Sequence, residues 1–341
     1  LTMVKQKNKF RFFIWLGVLI LIVLGAYAFW PKSSGKVIKI GVAVAQPGLA
    51  DEWGQGELRA IRLLVDKIND GGGVGGQLLE LIAEDTKSDN VGTVNAIQKL
   101  INIDKVQIIL GPTWGDSFGG GNPVAEQAKV VLLSPSASLE VAEETENLKY
   151  FFSAWWSQAD ELDALIRFVL NNEGGKVAVV HDPDAWTTKM SGLFIDMAKE
   201  TDLQVKEFEV VLGEQNFRTT LAKIKNFGAS WIFVMLQDPA QLGPFMKQLK
   251  EMGLAIRVFS TASTQNEKIL KDFSSVVEGL IYSYPATSGE AYDSLVQEYL
   301  DKYGSLPSTP VFVNAYNAAL AVVEVLKQGA RTGEEIRSAL T

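Results

Sequence analysis

The sequence contains no cysteine. That excludes disulfides, thiolate metal sites, a cysteine nucleophile and a cysteine-linked lipid anchor. It also fits an exported protein that does not rely on disulfides. There is one histidine, His181. A His-rich metal site is therefore excluded, and a histidine-dependent relay nearly so. No basic block follows the first dozen residues, and Lys plus Arg number 32 against 40 Asp plus Glu, a net charge of −8. Such a chain has no electrostatic footprint for nucleic acid. What is present is ordinary for a globular protein: 47% apolar and 21% charged residues over 341 positions. That length implies about two domains.

The N-terminus departs from this average. Phe12 to Trp30 carries no charge. At ~1.5 Å per residue the run reaches roughly 28 Å, enough to cross a bilayer core. Lys5, Lys7, Lys9 and Arg11 precede it, so residues 1–11 are expected inside the cell and the rest outside. Trp15, Tyr27 and Trp30 suit the membrane interfaces. The length of the run favours an uncleaved anchor over 12–30. Ala26-Tyr27-Ala28 has the A-x-A form, so a cleaved signal peptide is the alternative. Residues 31–36 (PKSSGK) read as a polar tether.

Beyond the tether, strand-like and helix-like segments alternate. VIKIGVAVA (37–45) is apolar and β-branched, a strand. Leu58, Ile61, Val65 and Ile68 fall at helical spacing and predict a helix from Gln55 to about Asp70. Further strands are expected at LLELIAED, VQIILG and VVLLS. In the second half they are expected at KVAVVH, VKEFEVV and WIFVM, each separated by a helical stripe. Strands alternating with helices of this length imply parallel sheets covered on both faces.

Gly71, Gly73 and Gly76 in GGGVGG satisfy G-x-G-x-x-G, the dinucleotide pattern. Here the glycines follow a helix and precede a strand, the reverse of the nucleotide context. They are expected to cap the helix at Gly71 in a left-handed conformation and to reverse the chain.

In open parallel sheets, ligands sit outside the carboxyl ends of the strands. The loops there hold small hydroxyls and tryptophans: Trp53, Thr113, Trp114, Ser117, Ser136, Ser138 and Trp186, with Gln237 in Leu236–Pro239. Trp155 and Trp156 follow the strand-like YFFSA. Hydroxyls and amides at strand ends can hold a carboxylate, and aromatic rings can wall a small ligand. Serine and proline also form turns, which weakens the argument from any one serine. His181 and Asp182 are sequence neighbours on a strand and point opposite ways, so they make a poor acid–base pair. No catalytic residue, cofactor or metal is expected.

The run IKIGVAVAQPG…WGQGELRAIRLLVDKINDGGGVGGQLLELIAEDTKSD, then ILGP, then VVLLSPSAS, resembles the type 1 solute-binding proteins of bacterial ABC importers. Its leucine/isoleucine/valine-binding branch is the nearest in pattern. KVAVVHD, FRTTLAKIKNFGASWIFV, QLKEMGL and EGLIYSYP extend the likeness over about 37–330. The resemblance implies two doubly wound α/β lobes joined by hinge strands and closing on a ligand. The first lobe would take 37–155 and 286–341, and the second 156–285.

Residue by residue, Ser138 matches the hydroxyl that holds a ligand carboxylate in amino-acid-binding members. The Ser136 carbonyl matches an acceptor for the ligand ammonium. Gly115 stands where the family has a serine, which leaves only a backbone N–H. Trp53 and Trp186 match aromatic walls. Gln158 and Ala262 stand where acids pair with an amino acid's ammonium, so a standard α-amino acid is placed in doubt. An aromatic or aliphatic carboxylate, an amide or another small polar solute fits as well. The family usually continues past the helix that ends near Leu326, so the chain is expected to be C-terminally incomplete, with Met3 as initiator. With the N-terminal run as a tether, the resemblance implies a membrane-attached, monomeric protein that hands its solute to an ABC permease. The alternative is a membrane-tethered sensor domain of the same fold.

Overall fold

Strand and helix alternate as the changes of hydrophobic period predict. The computed structural model of the chain describes residues 35, 37–115, 117–139, 148–285 and 287–341. The membrane segment expected over 12–30, with its basic flank, lies outside the described residues. Among the described residues no helix is long and apolar enough to cross a membrane.

In the first sheet, β1 (Ile38–Val44) lies between β2 (Leu79–Asp85) and β3 (Ile108–Leu110). Strands β4 (Val131–Ser134) and β5 (Phe151–Ser153) complete the order β2-β1-β3-β4-β5. In the second sheet, β6 (Lys176–His181) lies between β7 (Gln204–Glu209) and β8 (Trp231–Met235). Strands β9 (Arg257–Ser260) and β10 (Ile281–Tyr282) give β10-β9-β8-β6-β7. All these pairings are parallel. Each sheet thus winds outward in both directions from its first strand. The winding reverses between β1 and β3 and again between β6 and β8, the places where open α/β sheets bind ligands.

Helices cover both faces of both sheets. On the first, α1 (Asp51–Asp70) buries Leu58, Ile61, Leu64 and Val65 with Ile40, Val42 and Leu110. The opposite face carries α2 (Asn90–Asn102) and α3 (Asn122–Ala128), whose Ile97, Leu100 and Ala125 meet Ile109 and Leu132. On the second sheet, α4 (Gln158–Asn171) and α5 (Ala185–Ala198) pack Leu162, Ile166 and Phe194 on Val177 and Phe233. Helices α6 (Arg218–Phe227) and α7 (Leu242–Glu251) cover its other face. Two short helices follow, α8 (Glu267–Asp272) and α9 (Ser274–Val277). The chain then returns to the first sheet through α10 (Glu290–Tyr303), α11 (Val311–Lys327) and α12 (Gly333–Leu340). Their Tyr299, Phe312, Val322 and Ile336 join the cluster that holds Ile38 and Ile40.

Two details differ from the sequence expectation. Helix α1 starts at Asp51, not Gln55, so Trp53 stands in its first turn. Asp51 and Glu52 in that turn are favourable beside the positive end of the helix dipole. A Cβ on Gly54 would lie 2.2 Å from the Ala45 carbonyl oxygen, so only glycine lets α1 begin hard against the end of β1. Gly54→Ala is therefore expected to cost ~2 kcal/mol or more in urea unfolding, because backbone must move. A loss below ~0.5 kcal/mol would show that the contact yields easily.

The second detail is the glycine run. Gly71 ends α1 with φ −79°, which any residue adopts. The left-handed turn falls one step later, at Gly72 (φ 95°) and Gly73 (φ 78°). A Cβ on Gly73 would meet the Gln77 carbonyl oxygen at 2.0 Å. These glycines reverse the chain into β2.

Candidate ligand-binding cleft

One cleft takes its lining from loops at the strand ends of both sheets. From the first come Trp53 in α1, Trp114 and Ser117 after β3, Ser136 and Ser138 after β4, and Trp155 after β5. From the second come Trp186 in α5, Gln237 after β8, Ser260 at the end of β9, and Ser263 and Thr264 after it. The cleft leaves about 50 Å³ for the centres of water-sized molecules. One water needs ~10–15 Å³ on that measure, so the space suits a small solute. No charged side chain is among the described lining residues.

The aromatic wall is built largely from one ring. Trp53 packs edge-on to Trp114, with ring centres 5.8 Å apart, and tilted on Trp155 at 5.6 Å. Trp155 stacks on Trp156 at 3.7 Å. Ala45, Ala50 and Val311 seal the cluster from behind. Trp186 faces from the other lobe, its N–H donating to Gln158 Oε1 at 3.2 Å.

Beneath the hydroxyls lies an acid that sequence reasoning passed over. Glu57 of α1 is fully buried. Ser136 Oγ donates to one carboxylate oxygen and Thr113 Oγ1 to the other, each at 2.5 Å. Both hydroxyls in turn accept backbone N–H groups, from Trp114 at 3.0 Å and from Ala45 at 3.2 Å. Burial pushes the Glu57 carboxyl up to about 7, and the two hydroxyl bonds hold it down only in part. The available signal was a carboxylate at helical spacing beside Leu58 and Ile61, on the inward face of an amphipathic helix.

Further carboxylates stand behind the opposite wall. Asp182 is buried and accepts from the backbone N–H of Gln237 at 2.9 Å and from Thr187 Oγ1 at 2.8 Å. Asp184 caps α5 through the Trp186 N–H at 2.9 Å and accepts from Ser117 Oγ at 3.2 Å. This last bond joins the loop after β3 to the second lobe across the cleft. Burial raises the Asp184 carboxyl above its usual range.

The two positions read as lost acids meet at a third acid. Gln158 Nε2 donates to Glu161 at 3.1 Å, and the Ala262 N–H donates to the same carboxylate at 2.8 Å. The Trp156 indole and the Ser283 hydroxyl complete four donors to it. Glu161 therefore pins both crossovers between the lobes. Gln158 is buried behind Trp186 rather than in the described lining. Gly115 also lies outside that lining, packed on Pro112 and Phe151, with its carbonyl accepting from Asn122. His181 is buried, with Nδ1 on the Asp182 carbonyl at 2.8 Å and Nε2 on Glu207 at 2.7 Å. Both ring nitrogens are thus engaged.

Two lining donors have no hydrogen-bond partner among the described residues: Trp53 Nε1 and Gln237 Nε2. A buried donor left unpaired costs about 1–3 kcal/mol, so such atoms mark where an acceptor belongs.

Two doubly wound lobes with a polar, tryptophan-walled cleft between their strand ends define a two-lobed solute-binding architecture. The sequence profile of the periplasmic binding protein family matches residues 37–341. The chain belongs to that family. It is similar to the leucine-, isoleucine-, valine-, threonine- and alanine-binding protein of Pseudomonas aeruginosa, at 23% identity over 91% of this chain and 83% of the relative. In fold it is similar to a branched-chain amino-acid transporter substrate-binding protein of Streptococcus pneumoniae, solved with isoleucine. The TM-score is 0.79 at 22% identity, over 89% of this chain and 88% of that one. It is also similar to an ABC-transporter solute-binding protein of Rhodopseudomonas palustris, solved with 3,4-dihydroxybenzoic acid. There the TM-score is 0.76 at 24% identity, over 89% and 84% of the chains.

Proposed function

We propose that the chain is the extracytoplasmic solute-binding component of an ABC importer, tethered to the membrane through residues 12–30. It captures one small polar solute by closing its lobes and presents the closed form to a membrane permease. The observation that carries this reading is the cleft itself. Both lobes supply its walls, and the Ser117–Asp184 bond spans it. Relatives named for amino acids and a neighbour solved with an aromatic acid support a small polar solute with an apolar body.

In this reading Trp53, Trp114, Trp155 and Trp186 enclose the apolar body. Trp53 Nε1, the Gln237 amide and Ser138 direct donors at an oxygen of the solute. Ser117 and Ser136 complete the polar contacts. Gln158 acts through Trp186, and Gly115 shapes the loop after β3 without touching the solute.

A melting-temperature screen of the full chain tests this. The panel holds branched-chain, polar and aromatic amino acids, aromatic carboxylates, amides and amines. A bound solute at 100 times its dissociation constant adds roughly 2.7 kcal/mol to the folded state. A clear rise with one chemical class is expected; no rise with any member sinks the proposal. Ser138→Ala should then weaken the responding solute about fivefold, the loss of ~1 kcal/mol for one hydrogen bond, with little change in unliganded melting. Unchanged affinity would remove Ser138 from the site.

A further inference from the structure

Three carboxylates beneath or behind the cleft wall bond to lining residues, and one of them, Glu57, takes the hydroxyl proton of Ser136. Ser136 Oγ has one proton and two lone pairs. Its proton goes to Glu57, and one lone pair receives the Trp114 N–H. With Glu57 ionised, the hydroxyl can therefore offer the cleft only its remaining lone pair. Whatever meets it must donate.

The charge around that point has one sign. Glu57, Asp182 and Asp184 each bond directly to a lining residue, and no Lys, Arg or His is among the described lining residues. A cleft bordered by charge of one sign concentrates its field inside and favours the opposite charge. Indole faces add to that preference, because their quadrupoles attract cations.

We infer that the solute carries a cationic nitrogen seated on Ser136, and that Glu57 is its counter-charge, acting through the serine hydroxyl. Glu57 is thus a specificity-determining residue. It answers the absence of acids at Gln158 and Ala262, because the negative charge comes from beneath the first lobe instead. The unpaired donors of Trp53 and Gln237 take an oxygen of the same solute. Molecules with a carboxylate and no cationic nitrogen are rejected, since they would bring a second negative charge beside Glu57. This inference rests on the solute-binding reading above and narrows it.

The linkage follows from burial. The titration of Glu57 is set first by desolvation, which raises it, and then by the hydroxyls of Ser136 and Thr113, which lower it; no charged side chain among the described residues stands among these causes. A cation on Ser136 favours the ionised carboxylate and so expels its proton.

The test is calorimetric titration of the full chain with two matched sets. One is L-leucine, isoamylamine, isovalerate and isovaleramide; the other is benzylamine, benzoate and benzamide. The amines stay protonated at neutral pH, since such groups titrate near ~10.4. Members with a cationic nitrogen are expected to bind, and those without to fail. At about pH 6, near one proton should be released per amine bound, read from the dependence of the heat on buffer ionisation, and none near pH 8. Glu57→Gln should weaken the amines at least about tenfold near pH 8 and abolish the proton release. Should that variant misfold, the proton release of the unaltered chain still decides. Binding of isovalerate, benzoate or the amides in preference to the amines overturns the counter-charge and leaves the solute-binding reading standing. A chain that answers to members of the broader melting screen but to no amine does the same. Amine binding without proton release at about pH 6 also overturns it. If nothing in either set or in the broader screen binds, the binding reading itself fails.

Discussion

Trp53→Ala should lower the stability of the first lobe by about 3–5 kcal/mol, besides removing a wall of the cleft. The ring is only 2% exposed. It touches Trp114 and Trp155, the end of β1 at Ala45, and Val311 at the start of α11. Truncation leaves a hole where three segments distant in sequence meet, and surrounding rings cannot all collapse into it. Trp53→Phe should recover more than half of the loss, because most of the volume returns. Urea unfolding of the three proteins checks this. A loss below ~1 kcal/mol for the alanine variant would show that the ring is a cleft lining and not a joint of the fold.

The second large effect is a dependence on pH. An unperturbed glutamate titrates at 4.5; Glu57 in the folded chain titrates at about 7. Between those values the folded state keeps the proton while the unfolded chain has lost it. The stability from holding that proton is complete below the unfolded value and falls away as pH rises toward 7. Each pH unit of difference is ~1.36 kcal/mol, so the loss over the window is roughly 3 kcal/mol, and it is flat above about 7. Glu57→Gln has no proton to lose. Its unfolding free energy relative to the unaltered chain should therefore improve between about pH 5 and pH 8 by most of that amount. Parallel pH profiles would show that Glu57 is not buried as a titrating acid.

Much of this architecture was legible in the residues. Apolar, β-branched runs marked the strands, helical stripes such as Leu162, Leu165, Ile166 and Val169 marked the helices, and their alternation implied parallel sheets. Loops after the strands pointed to Trp53, Trp114, Ser117, Ser136, Ser138, Trp186 and Gln237, and the fold brings all of them to one cleft. The acids were harder. Glu57 and Glu161 sit within apolar helical stripes, where a charged residue is usually a surface neighbour of the core. Only the long-range partners Thr113, Ser136, Ala262 and Ser283 show that they point inward. Reading Gln158 and Ala262 position by position registered two missing acids. The fold places the Glu161 carboxylate against both, a contact that one-dimensional alignment cannot display. Boundaries failed for a local reason. Gln46 to Trp53 reads as a loop, yet its close is the first turn of α1, possible because Gly54 lets helix and strand end touch.

The central claim is that one small solute sits between the two lobes against the tryptophan wall. The measurement that tests it most directly is calorimetric titration of the first responding solute into the full chain and into Trp186→Ala. Trp186 faces the cleft from the second lobe and is only partly buried, so its loss should spare the fold. The account predicts one solute per unaltered chain and an affinity at least about tenfold weaker in the variant, as expected when a wall of a closed cleft is removed. Equal affinity in both would place the solute elsewhere and contradict the account.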